Sequence, residues 1–447
     1  MSERMKKRLE LSAVGLFLVG LGALFIVGTP GEAPAPSGRQ LVQYWSIVGF
    51  KEVMPYYATR FNELQDTIAL RTTLIPWQEH EKKILTAVCS GDPPDVVNQM
   101  TPVAKWAARL ALTPLDDYIR RDGFDTTQFF PALWQEMKWH GKTYALPLSS
   151  GSYAFFFNRE LFRRAGLDPD KPPRTWDEVA AHTEKLTQRD ERGRITRIGY
   201  IPNYGNLQAS VVMAWELGAT FVSADGRRVE LEDPRVVAGL RAMEEFYRRY
   251  PLDEVAAFLG TLGLGEQHGF LADKIAMMIL DSSFPDQIRR YRPGMDYGIA
   301  EIPSFEGRPT ASQAGSWWVA IPRGAKHPEA AWQFMKYSCS TEAQLEEIEH
   351  TEESLFPSNR RAAYDVRFMN SPQREVFVRM MEFGHTPSIV PLAHDVFWRE
   401  FFGAQERVIH GLQTPEEALA QAQRGVQSVL DVAVDYDAYV RHNVVEH

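Results

Sequence analysis

Cysteine is scarce in this chain. Two thiols, Cys89 and Cys339, in 447 residues are too few for a disulfide framework or a four-ligand zinc set. Cys89 falls in the helical pattern of Ile84, Leu85 and Val88, so a buried free thiol is expected there rather than a Cys89–Cys339 bridge. Basic charge is also short: 49 Lys and Arg against 58 Asp and Glu give a formal charge of −9. Without residues 1–28, which carry four basic and two acidic side chains, it becomes −11. No basic stripe with interleaved aromatics is present, which argues against nucleic acid as a partner. Also missing are GxSxG, HExxH, a Walker loop and a dinucleotide fingerprint. The glycines at 260, 263 and 265 lack the preceding strand that would give them meaning, and His80 with Glu81 is too sparse for a metal site. No cofactor or metal is expected. A pair of glycosidase carboxylates has no local signature, so that one enzyme class stays open.

What is present describes an ordinary soluble body on a hydrophobic leader. Apolar residues make up 44% and charged residues 24%, and the length suits two lobes, each with its own core. Residues 11–28 form 18 uncharged, largely apolar positions that would reach ~27 Å as a helix. Arg4, Lys6, Lys7 and Arg8 precede them and should stay cytoplasmic, placing the rest of the chain outside the membrane. Pro36 would follow a cut at the small residues Ala33 and Ala35, so an uncleaved signal anchor is favoured over a cleaved peptide. Residues 29–40, rich in Pro and Gly, read as a tether.

Beyond the tether, strands at 41–47 and 68–75 and a third from Asp95 alternate with helices at 51–64 and 79–90, predicting a mainly parallel sheet in an α/β lobe. Residues 147–178 hold the densest local signals. The run 154–157 reads as a buried strand, Asn158 caps a helix over 159–165, and Gly166 stops it. Pro172 and Pro173 bar further helix until Thr175, which with Glu178 forms a capping box for a helix carrying Val179, His182 and Leu186. Later, Asp233 and Pro234 start a helix with Val237, Leu240, Met243 and Tyr247, and 275–280 reads as a buried strand. A strand from Gly315 precedes a helix opened by Pro328, and Thr414, Pro415 and Glu417 start the last long helix, with Leu419, Ala422, Val426 and Val429 on one face.

Pro147, Leu148, Ser149, Ala154, Phe155, Phe156 and Asn158 resemble the signature of the extracellular solute-binding proteins of the sugar-binding group, the receptors of ABC importers. Phe157 stands where that signature has Tyr, and Arg164 where it has Lys, Asn, Asp or Glu. The segment from Gly315 resembles the same family, on its maltose-binding branch. The resemblance implies a two-lobed α/β periplasmic-binding-protein fold with a hinge, to which the hydropathy pattern adds an N-terminal transmembrane helix. Together they divide the chain into a signal anchor (1–28), a tether (29–40), first-lobe segments (41–150 and 315–355) and second-lobe segments (151–314 and 356–447). It further implies no catalysis, a carbohydrate or polyol ligand, ABC permease subunits as partners, and a site on the outer side of the bacterial cytoplasmic membrane. A membrane-tethered sensor paired with a signalling protein, or a secreted glycoside hydrolase, are the rival readings.

A sugar cleft wants aromatic platforms for C–H faces and polar groups for hydroxyls. The 11 Trp and 16 Tyr supply candidates at loop and crossover positions. Trp45 and Ser46 end the first strand, Trp77 follows the second, and Gln99 follows the third. Tyr153 and Trp317 sit at the two expected crossovers and should face the cleft, with Trp318 pointing the other way. Asp281 after the 275–280 strand stands in a stretch where the family commonly has Gly-x-Trp, and Tyr204, Arg360 and Trp398 complete the candidate ligand set. Trp176 and Trp332 are expected to pack.

Overall fold

The computed structural model describes residues 38–48, 54–351 and 356–445. The predicted anchor at 11–28 and nearly all of the tether lie outside them. Gln40, assigned above to the tether, already belongs to the first strand. Among the described residues no helix is long and apolar enough to cross a membrane.

Strands β1 (Gln40–Val48), β2 (Ile68–Pro76) and β3 (Val96–Gln99) are parallel, with β1 in the middle. A small hairpin, β4 (Lys138–Trp139) with β5 (Lys142–Thr143), precedes the long β6 (Leu146–Asn158). Then come the short pair β7 (Gln188–Arg189) and β8 (Ile195–Arg197), and β9 (Met277–Asp281), β10 (Tyr297–Ala300) and β11 (Ser312–Ala320). Two-residue strands β12 (Phe356–Pro357) and β13 (Gly384–His385) complete the set. The main sheet runs β10-β6-β11-β3-β1-β2, with β9 and β12 also on β6. It is mixed rather than mainly parallel, because β11 runs antiparallel to both β3 and β6.

Strand β6 is the structural pivot. Its first half, to Ser152, pairs with β11, and from Tyr153 onward its partners are β9 and β10. One continuous strand therefore belongs to two packed bodies. In the first, side chains of β1, β3 and β11 bury two clusters on opposite sheet faces, one around Tyr44, Phe334 and Trp332 and one around Ile75, Trp106 and Trp318. In the second, Phe155 to Phe157 join helices from 209 onward in a single large core. The molecule is a two-lobed α/β fold.

Local signals are realised where expected. The Asn158 side chain accepts from Leu161 N at 3.0 Å, and the helix Arg159–Arg164 ends before Gly166, whose φ of +71° favours glycine. Thr175 accepts from Glu178 N, while Glu178 reaches Arg174 N rather than Thr175 N. Thr414 and Glu417 form the full reciprocal box. Trp176 and Trp332 are packed inside. Two expectations fail. Val429 is exposed and Leu430 is buried in its place, because the inward face advances by four residues from Val426. Cys89, the last residue of helix His80–Cys89, is exposed, whereas Cys339 is fully buried; both are free thiols.

Helices Ala209–Glu216 and Pro234–Arg249 touch backbone to backbone at Gly239, where a Cβ would sit 2.2 Å from the Ser210 carbonyl oxygen. A methyl there forces the helices apart. Gly239→Ala is expected to destabilise the second lobe by about 1–3 kcal/mol, seen as a lower urea midpoint with unchanged helical signal.

Candidate functional site

The parallel strands β1 to β3 end along one edge, and ligands of α/β sheets gather at such carboxyl ends. Trp77 is the first residue past β2 and is 37% exposed. Its ring leans on His80, with centroids 4.3 Å apart, and meets Trp317 edge-on at 6.0 Å and 75°. Trp317 is half-buried on β11, and Trp318 points inward with its Nε1 donating to the Thr101 carbonyl at 2.8 Å. The expected alternation therefore holds, and a bulge lies on the opposing β6 strand, where Trp317 faces Ser149 and Trp318 faces Pro147.

His80, whose pairing with Glu81 is too sparse for a metal site, has a different role here. It opens its helix, its Nδ1 bonds the Trp77 carbonyl oxygen, and it is only 5% exposed. Its Nε2 is buried without a hydrogen-bond partner. The i, i+3 spacing of Trp77 and His80 at a helix start was the available signal. Nearby, half-buried Trp45 carries the Lys83 ammonium 5.5 Å from its ring centroid.

Across the β6 junction, Tyr153 is directly opposite Asp281 on β9, so two predicted residues from distant sequence meet. Burial, with the Asp281 charge adding to it, pushes the Tyr153 hydroxyl well above its ordinary value, so it is a neutral donor. Asp281, the last residue of β9 rather than the first past it, accepts from Ser283 N at 2.9 Å and from the Ser283 hydroxyl. The close approach continues at Gly151, where a Cβ would lie 3.1 Å from Ser282 Oγ. On the second lobe, Tyr204 lies 6.0 Å from His268, which lies 4.9 Å from Phe284, the residue that starts the helix after Asp281. Burial lowers the His268 pKa and raises that of Tyr204, so both are held neutral. Lys105 binds Glu81 at 2.9 Å and reaches Asp395 at 3.5 Å, tying the helix start beside Trp77 to helix His394–Ile409. Trp398 lies half-buried on that helix among His394, Phe397, Phe401 and Phe402.

Three candidates are placed differently from expectation. Ser46 is 1% exposed and receives Asn98 Nδ2 at 3.5 Å, because β1 continues to Val48 and carries it inside. Gln99 is fully buried as the last residue of β3, its Oε1 taken by Thr101 and the Met100 amide while its Nε2 has no partner. Arg360 pairs with Glu382 at 2.8 Å and lines a surface hollow of about 320 Å³ with Thr127, Gln128, Arg361 and Tyr364, apart from the Trp77 and Trp317 cluster.

The profile of the bacterial extracellular solute-binding proteins matches residues 45–345. The chain belongs to that family. This solute-binding protein is 25% identical over 356 residues to the sn-glycerol-3-phosphate-binding periplasmic protein UgpB of Salmonella paratyphi A, a match covering 72% of this chain and 76% of that one. Among solved structures, CpMnBP1 with mannotriose bound is 24% identical with a TM-score of 0.70, covering 87% of this chain and all of that one. The sugar-binding protein MalE of Xanthomonas citri is 18% identical with a TM-score of 0.73, covering 90% and 100%. These likenesses confirm the two-lobed fold of this solute-binding protein.

Proposed function

We propose that this protein captures a carbohydrate or related polyol between its lobes and delivers it to the permease of an ABC importer. The observation that carries the reading is the paired indole platform of Trp77 and Trp317 at the carboxyl edge of the parallel strands, with Tyr153 and Asp281 at the shared strand β6. Indole faces take the C–H faces of a sugar, and the Tyr153 hydroxyl and the Asp281 carboxyl offer a donor and an acceptor to its hydroxyls. Trp45, Tyr204 and Trp398 complete the ligand-facing set, while Ser46 and Gln99 are buried at the ends of β1 and β3 and Arg360 lies on a separate surface hollow. A ligand touching both lobes binds the closed form better and shifts the hinge equilibrium by that difference. No bond is made or broken. The division into first-lobe segments 41–150 and 315–355 and second-lobe segments 151–314 and 356–447 belongs to the same proposal, as does anchoring to the membrane by residues 11–28.

The test is a thermal-shift series on the full chain with mannotriose, maltotriose, sorbitol and sn-glycerol 3-phosphate. At least one neutral saccharide or polyol is expected to raise the melting temperature and to be recovered intact; no rise with any of them overturns the ligand class. N-terminal sequencing of the protein from its native membrane should return residue 1 or 2, and a start near residue 36 would sink the anchor.

A further inference from the structure

The last α-helix, Pro415–Val440, holds 26 residues and so extends ~39 Å. Its first half is rooted in the second lobe, where Ala418, Leu419, Ala422, Val426 and Leu430 are fully buried in the large core. Seven residues further on, the same helix meets the first lobe. Asp437 is a carboxylate only 3% exposed. Its Oδ1 accepts from Trp139 Nε1 at 3.2 Å and its Oδ2 from His140 Nε2 at 2.7 Å, with Arg441 Nε adding a bond at 3.1 Å from one turn along.

Trp139 and His140 belong to the β4–β5 hairpin, and that hairpin is built into the first lobe. Leu115 N donates to the Thr143 carbonyl at 2.7 Å and Tyr144 N to that of Met137 at 3.0 Å, while Met137 and Ala145 lie in the cluster around Trp106 and Trp318. The hairpin turn is His140-Gly141 with φ of +47° and +75°. A two-residue turn with both φ positive matches the twist of a hairpin, but Asn or Gly is its ordinary first residue. Histidine in the left-handed region costs about 1–2 kcal/mol, and here its imidazole is delivered to Asp437 in return.

A buried carboxylate is tolerated when its lone pairs are filled, and loss of partners leaves a stranded charge. Two of the three donors to Asp437 come from the other lobe. Any movement that separates the hairpin from the helix leaves the carboxylate with Arg441 alone. A helix fixed in one lobe and clamped to the other also acts as a strut between them. A second tie crosses the same seam, where Glu136, which closes helix Pro131–Glu136 just before the hairpin, accepts from Ser388 Oγ at 2.6 Å.

We propose that the C-terminal end of this helix is an interlobe clasp, in which Asp437 grips Trp139 and His140 and holds the lobes at a defined separation in the absence of ligand. The clasp is a bistable element: engaged it narrows the hinge ensemble, and released it frees it. Its existence does not depend on which solute the cleft takes.

The experiment measures the distance between nitroxide labels on Cys residues introduced at exposed Lys82 and Glu191, one per lobe, in the full chain with Cys89→Ser and no ligand. The unmodified clasp is expected to give one narrow distribution. Asp437→Ala, and separately Trp139→Phe with His140→Gly, should each add a second population at longer distance. The hairpin variants leave the helix untouched and keep the test valid if Asp437→Ala folds poorly. A lowered melting temperature with an unchanged distance distribution makes the contact merely structural and overturns the proposal, as does no change in either.

Discussion

Trp317→Ala is expected to lower saccharide affinity by about 30- to 1000-fold, equivalent to ~2–4 kcal/mol, with the fold intact by circular dichroism. Two losses combine. The ligand loses an indole face, and Trp77 loses the edge-on neighbour that fixes its ring from one side. Trp77→Ala should cost less, because Trp317 remains seated on β11 between Ser316 and buried Trp318. Trp317→Phe should recover most of the affinity, since an aromatic face of reduced area still stacks. The two tryptophans touch, so the double variant should lose less than the sum of the single losses. Titration of the full chain with whichever saccharide gives the largest thermal shift reads the effect, and wild-type affinity in Trp317→Ala would remove the platform from the site.

The Trp77–Trp317 pair also shows where the sequence stops informing. Each residue was legible as a candidate from its own surroundings: Trp77 from its place just past a β-type run, Trp317 from its place on a crossover strand. Their contact joins positions 240 residues apart through the antiparallel pairing of β11 with β3 and β6, and no local pattern encodes it. Strand β6 was read as the four apolar residues 154–157 because Pro147, Ser149, Ser150, Gly151 and Ser152 look like loop. They form strand because β11 and β12 bring hydrogen bonds to them from far along the chain, and small side chains suit the crowded junction where Gly151 faces Gly315 and approaches Ser282. Ser46 and Gln99 are buried for a related reason. Position at a strand end was correct to within two residues, but the period-2 alternation decides which side chains leave the sheet toward solvent, and a boundary error of one or two residues reverses that assignment. Helix starts were the most legible features, since Asn158, Thr175, Asp233 and Thr414 each satisfy their own backbone within three residues.

The second large effect is a loss of stability between pH 6.5 and 8.5. Glu136 is buried with one oxygen bonded to Ser388 and the other without a partner, and burial raises its pKa from 4.5 to about 7. Glu216 receives the Trp176 Nε1 bond at 2.9 Å in the second-lobe core, and burial raises it to about 8. Both folded-state values exceed the unfolded value. Their stabilising contribution is therefore complete below about pH 4.5 and is lost as pH rises through 7 and 8, since ionisation then favours the unfolded chain. Histidines oppose this at lower pH: burial depresses His182, His268, His385 and His394 below 6.5, so their contribution is lost as pH falls. At pH 6.5 the unfolded rings are still about half protonated, so the histidines offset part of the loss until about pH 7.5, above which the rings are neutral in both states. At one pKa unit per 1.36 kcal/mol, Glu136 is worth roughly 3 kcal/mol and Glu216 roughly 5 kcal/mol across their full ranges, which for a protein of marginal stability is a large share. The melting temperature of the full chain is expected to fall by several degrees from pH 6.5 to 8.5. Glu136→Gln and Glu216→Gln keep the hydrogen bonds from Ser388 and Trp176 and should each flatten part of that slope, with the double variant nearly flat. A wild-type melting temperature that does not change over this window, or a slope untouched by both substitutions, would show that the two carboxyls ionise freely in the fold.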